Sequence, residues 1–166
     1  MGQHVLIAST VTISNWNSED QTDIAAVARL FGELGYPVDP EPMAERLVRF
    51  EVTRGSIPIE LLIARETASE QIVGFALVTV VTATLEMEIG AVIQALVVDS
   101  RQRGKQIGQQ LVEAAEEWAR NKDAVKIRLS TNVNRDDAHR FYERIGYEHV
   151  STSRSYSKTL SSEIKD

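Results

Sequence analysis

Apolar residues recur along the chain at two spacings, and the alternation between them divides it into elements. Val5 to Ile13 is rich in β-branched and aliphatic residues and predicts a first strand. Ser18 to Asp23 is polar and acidic, a helix start. Ile24, Val27, Leu30, Phe31 and Leu34 then recur at three and four, an amphipathic helix that Gly35 ends and Pro37 keeps ended. A proline-marked loop, YPVDPEP, leads to a second helix over Met43 to Phe50, with Leu47, Val48 and Phe50 inward. Ile57 to Ala64, Gln71 to Thr82 and Thr84 to Val98 predict three consecutive strands, the first two joined by the polar turn RETASEQ. Ile107, Leu111, Ala114, Ala115 and Trp118 return to helical spacing, and that helix ends near Asn121. In VKIRLST, Val125, Ile127 and Leu129 alternate with Lys126, Arg128 and Ser130, a half-buried strand. Asn134 is placed to cap a short helix by accepting from the Asp137 N–H. Ala138, Phe141, Tyr142 and Ile145 form its inner face and Gly146 closes it. Tyr147 to Leu160 predicts one or two edge strands before a polar tail.

This order predicts a mixed α/β (α+β) fold, a twisted, mostly antiparallel sheet of about six to seven strands flanked by about four helices. The strand, helix, strand unit around residue 110 requires a right-handed crossover between parallel strands. Without a repeat, linker or low-complexity segment, the chain reads as one domain over 1–166 with its core over 5–160.

The stretch Val97 to Leu111, VVDSRQRGKQIGQQL, joins the third long strand to the amphipathic helix. The first N–H groups of a helix have no intrahelical partner and lie at the positive end of its dipole, so the turn before it suits an anion, above all a phosphate. Gly104 lets backbone approach a ligand and Gly108 lets the helix pack closely, while Arg103 and Lys105 supply charge or simply lie solvated. The turn lacks both G-x-x-x-x-G-K-[ST] and G-x-G-x-x-G followed by an acidic residue.

Composition narrows the chemistry. The formal charge of -6 argues against a general nucleic-acid binder and mildly favours cationic or amine substrates. Without cysteine there is no disulfide, thiolate metal site or cysteine nucleophile, and the scattered His4, His139 and His149 give little for zinc, so no metal is implied. No apolar run approaches the roughly 18 to 20 residues that span a bilayer, and MGQHVLIASTV lacks a basic region with a cleavage site, so no membrane partner and a cytoplasmic location are expected.

RGKQIG at 103–108 resembles the Q/R-x-x-G-x-G/A motif of the GNAT superfamily of acetyl-CoA-dependent N-acetyltransferases, with Gln106 standing where that family has its first glycine. NRDDAHRFYERIGYEHV resembles the family's second signature, an asparagine, an alanine and an aromatic pair before Gly-Phe or Gly-Tyr, and the element order is that of the fold. The resemblance implies transfer of an acetyl group from acetyl-CoA to a primary amine of a small molecule or peptide, by direct attack in a ternary complex. It implies that backbone at Leu96, Val97 and Val98 pairs with the pantetheine arm and that amides from Arg103 through Gly104, Lys105, Gln106, Ile107 and Gly108 to Gln109 bind the pyrophosphate. Asn132 or Asn134 would contact the cofactor, and Tyr142 would protonate the departing sulfur unless it is only a core tyrosine. Where some members carry a basic glutamate stands Val92. In a regular strand Glu86, Glu88, Val92 and Gln94 share a side, which makes Glu88, acting through water, the candidate base, with Glu86 behind it. Trp16, Phe31 and Tyr36 either line the acceptor pocket or pack in the core. Homodimers are common in such families, although no residue here marks an interface. Two other readings stand beside this one: a non-catalytic acyl-CoA-binding sensor of the same fold, and an unrelated nucleotide binder sharing only the turn.

Overall fold

The computed structural model describes residues 10–17, 21–34, 40–54, 58–81 and 88–158. They form two compact units, one through Ser130 and one from Thr131. The first holds a five-stranded sheet in sequence order: β1 (Val11–Asn15), β2 (Ile59–Glu66), β3 (Ile72–Val81), β4 (Gly90–Val98) and β5 (Lys126–Leu129). The first three pairings are antiparallel and β4 with β5 is parallel, as a strand, helix, strand unit requires.

Helices cover both faces. α1 (Gln21–Phe31) and α2 (Pro40–Arg54) pack on one, around Leu61, Ile63, Phe75 and Val97. α3 (Ile107–Arg120) packs on the other through Ile107, Leu111, Val112, Ala115 and Ala119, all buried. Gly74 of β3 fixes how closely α3 lies: a Cβ there would meet the Val97 carbonyl oxygen at 2.7 Å and Leu111 Cδ1 at 3.2 Å. Fully burying a side chain such as Phe75 or Leu111, each 0% exposed, contributes roughly 1.5–3 kcal/mol.

Several boundaries depart from the pattern. α1 stops at Phe31 and continues as a 3-10 turn, Gly32–Leu34, because glycine at 32 weakens the α-helix; Gly35 and Pro37 lie outside the described residues. α2 begins within the expected loop, since Pro40 and Pro42 fall in its first turn, where no N–H is needed. Leu47 of α2 is buried as expected, whereas Val48, one position round the helix, is exposed. β4 starts only at Gly90, with 84–87 outside the described residues. The sheet has fewer strands than expected: between Tyr147 and Lys158 there is none. That stretch is polar apart from Tyr147, Val150 and Tyr156, and the last two are 84% and 88% exposed, too little apolar surface to hold an edge. The predicted part of the first strand over 5–9 and the last positions, 159 and 160, lie outside the described residues.

In the second unit, α4 (Asp136–Arg144) begins after Arg135, whose side chain makes no cap. Asn134 therefore does not cap it; its own N–H instead donates to Asn132 Oδ1 at 2.9 Å, and the Asn132 carbonyl takes the Arg135 N–H at 3.0 Å. With Arg135 in the N-cap place, Asn134 lies one residue before the position from which a side chain caps. At the other end Gly146, with φ 97°, closes the helix, donating to the Glu143 carbonyl while the Tyr147 N–H reaches Tyr142.

Candidate functional site

β4 opens where the expected cofactor strand begins. Its ladder to β5 ends at Ile93 opposite Leu129, while its ladder to β3 shifts register there, Val78 facing Ile93 and Leu77 facing Ala95. Gln94 is thus the extra residue of a β-bulge, which bends and twists a strand. From Ala95 through Leu96, Val97 and Val98, β4 pairs only with β3 among the strands. No strand among the described residues therefore covers the other edge there.

The turn that follows is tightly braced. The Asp99 N–H donates to the Val73 carbonyl at 2.8 Å, pinning the strand end. The Asp99 carboxylate, 2% exposed, accepts from the Arg101 N–H and Nε, both at 3.0 Å, from Arg101 Nη2 at 2.8 Å, and pairs with Arg29 Nη1 of α1 at 3.0 Å. These donors, Arg101 first, hold the carboxyl well below the usual carboxylate range despite its burial. Glu33 ties the same turn to the 3-10 segment: it accepts from Ser100 Oγ at 3.1 Å and from Arg103 Nη2 at 3.4 Å. Arg103 Nε also donates to the Val98 carbonyl, and Lys105 Nζ donates to Gln102 Oε1.

Two residues turn the backbone into α3. Gly104 has φ 80°, and Gln106, at the N-cap, has φ 62° and ψ 10° with no side-chain cap bond. The left-handed conformation at 106 explains why glycine suits this position. The first helical bond runs from the Gln110 N–H to the Gln106 carbonyl, so the amides of Ile107, Gly108 and Gln109 precede it. A pyrophosphate fits such a cradle of unpartnered donors at the dipole's positive end.

In the second unit Tyr142 is half-buried, its ring edge-on to Tyr147 with centroids 5.9 Å apart. Burial pushes its phenol above the ordinary tyrosine value, against the pull of the Arg135 cation. His139 Nε2 lies 3.0 Å from the Asn132 carbonyl, so Asn132 organises the start of α4 with both side chain and backbone.

Glu88 is exposed and precedes β4, so it is not on the strand as expected; Glu86 lies outside the described residues. Trp16 is 0% exposed and serves the core, while Phe31, partly buried, packs on Phe75 with ring centroids 4.6 Å apart. Tyr36 lies outside the described residues. Sequence reasoning missed the bulge, which carries no residue signature, and the bracing carboxylates of Asp99 and Glu33. Asp99 two positions before an arginine was the one signal present.

The model of the acetyltransferase (GNAT) family matches residues 16–147. An aminoalkylphosphonate N-acetyltransferase of Salmonella typhimurium is 56% identical over 55 residues, a match that spans 33% of this chain and 36% of that protein. Among solved structures, glucosamine-6-phosphate N-acetyltransferase of Arabidopsis thaliana superimposes with TM-score 0.73 at 26% identity, over 89% of this chain and 98% of that one. A transcriptional regulator from Bacillus halodurans C-125 gives 0.70 at 28% identity, over 88% and 99%. A family match across most of the chain removes the unrelated nucleotide binder, and the chain belongs to the GNAT family of acetyltransferases.

Proposed function

We propose that the chain, as one catalytic domain, transfers an acetyl group from acetyl-CoA to the primary amine of a small molecule. The observation that carries this is the continuity of two backbone sites: the open edge of Leu96 to Val98 runs through the braced turn into the amides of Ile107, Gly108 and Gln109. Bound acetyl-CoA supplies the activated acyl group, whose transfer forms a C–N bond and breaks a C–S bond. The edge of β4 orients the thioester arm, and the turn from Arg103 to Gln109 holds the pyrophosphate, with Lys105 available to a phosphate. Asn132 and Asn134 extend the cofactor contacts.

Tyr142 supplies the proton that the departing sulfur needs. Its raised pKa keeps it protonated at neutral pH. Glu88, solvent-exposed, takes the amine's proton through water. The two relatives with transferase names act on amines that carry a phosphonate or a phosphate, which supports a small-molecule acceptor over a protein. Val92, where a carboxylate base would stand, favours one other reading, an acyl-CoA-binding sensor.

Release of free thiol from acetyl-CoA with a panel of amines tests the proposal. Amine-dependent thiol is expected; binding of acetyl-CoA with no turnover would leave the sensor, and no binding at all would overturn both.

A further inference from the structure

We infer that an apolar cleft between α2 and the sheet is the acceptor subsite, and that it takes a small primary amine whose short hydrocarbon body ends in an oxyanion, a carboxylate or a phosphonate. The inference rests on the transferase reading above and names its substrate class. The cleft holds about 130 Å³ and is walled by Phe31, Met43, Leu47, Phe50, Leu61 and Leu77, with Arg46 its one charged residue. That is about four times the share of liquid volume of one water, room for a chain of a few carbons.

Hydrocarbon walls strip water from any charge placed between them, so an ammonium gains nothing inside. The exposed Arg46 guanidinium offers a planar fork of donors that matches a carboxylate or phosphonate. Among the described residues no acidic side chain lines the cleft to compete for it. The local charge therefore selects the opposite sign from the one that the net charge of -6 favours.

The position of the cleft suits transfer. Leu77, in its lining, pairs with Ala95, the residue that follows the bulge and begins the stretch of β4 without a β5 partner. Neighbouring strands lie about 4.8 Å apart, so an amine emerging over Leu77 crosses one strand spacing to the open edge. Behind Phe50 stands the ring of Trp16, with centroids 6.4 Å apart. Its indole N–H is buried with no acceptor among the described residues.

The test compares 4-aminobutyrate and 3-aminopropylphosphonate with butylamine and 1,4-diaminobutane in the thiol-release assay. The anionic amines are expected to show kcat/KM at least about tenfold above the other two. Arg46→Gln should abolish the difference through KM with kcat held, and Arg46→Lys should restore part of it. A preference for the diamine, or an unchanged ratio in Arg46→Gln, overturns the inference and leaves the transferase reading standing. Should no amine turn over, binding still decides the subsite. In Trp118→Phe, which leaves Trp16 as the one tryptophan, 3-aminopropylphosphonate should shift indole emission saturably and Arg46→Gln should abolish the shift. No shift overturns the subsite.

Discussion

The buried carboxylate of Asp99 takes three hydrogen bonds from one neighbour, Arg101, at 2.8 to 3.0 Å, and so folds the end of β4 into the turn before α3. Asp99→Asn keeps the shape and loses the charge. Arg101 and Arg29 are 76% and 47% exposed and regain water, so the expected loss is about 1.5–3 kcal/mol at pH 7, the scale of hydrogen bonds to a charged group. Because folding lowers this pKa below its ordinary 3.8, the stabilisation is complete above that value and is lost progressively as pH falls from it toward the lowered native value. Denaturant melts of both proteins should differ by a constant amount at neutral pH, and the gap should narrow progressively as pH drops below 3.8; a gap that does not narrow in acid would show that the charge is not what matters.

Gln106 carries a side chain where the backbone turns left-handed. Gln106→Gly should raise stability by about 1 kcal/mol, since L-residues lose roughly that in this conformation. The affinity for acetyl-CoA should stay within about twofold, because the amide remains. Thermal melts and calorimetric titration measure the two quantities, and a destabilised variant would refute the strain.

Gly74→Ala should cost about 1–3 kcal/mol, the usual range for overpacking, because the added methyl meets backbone at Val97 as well as Leu111. A neutral effect in urea melts would mean that α3 shifts freely on the sheet.

Tyr142→Phe should lower kcat by about 10- to 1000-fold with little change in acetyl-CoA binding, the scale of general acid catalysis. With its pKa raised by burial, the wild-type alkaline limb should fall above pH 10 and vanish in the variant. Unchanged turnover would leave Tyr142 a packing residue.

Most of the architecture was legible because it depends on periodicity. Ile24, Val27 and Leu30 and the run from Ile107 to Ala115 mark their helices by spacing alone, although α3 buries Val112 and Ala119 more fully than the expected Ala114 and Trp118. Boundaries were less so. Where α1 gives way at Gly32, and where β4 begins, depends on tertiary packing that single residues do not encode. The turn into α3 was visible in Gly104 and Gly108, whereas the carboxylates bracing it were not. Glu33 reaches Ser100 and Arg103 across some seventy positions, beyond any local pattern. The acceptor cleft was hidden for a related reason: Leu47 and Phe50 read as ordinary core until α2 is seen to leave a gap beside Leu77.

Gln94 also resets the phase of its strand. Val92 faces Thr79 and Ala95 faces Leu77, two positions apart on the partner, so residues three apart on β4 point the same way. Counting back by twos from Val98 names the wrong side of the sheet for everything before Gln94, Val92 included. Deleting that glutamine would rotate half the strand, and with it the groups that look toward the acceptor.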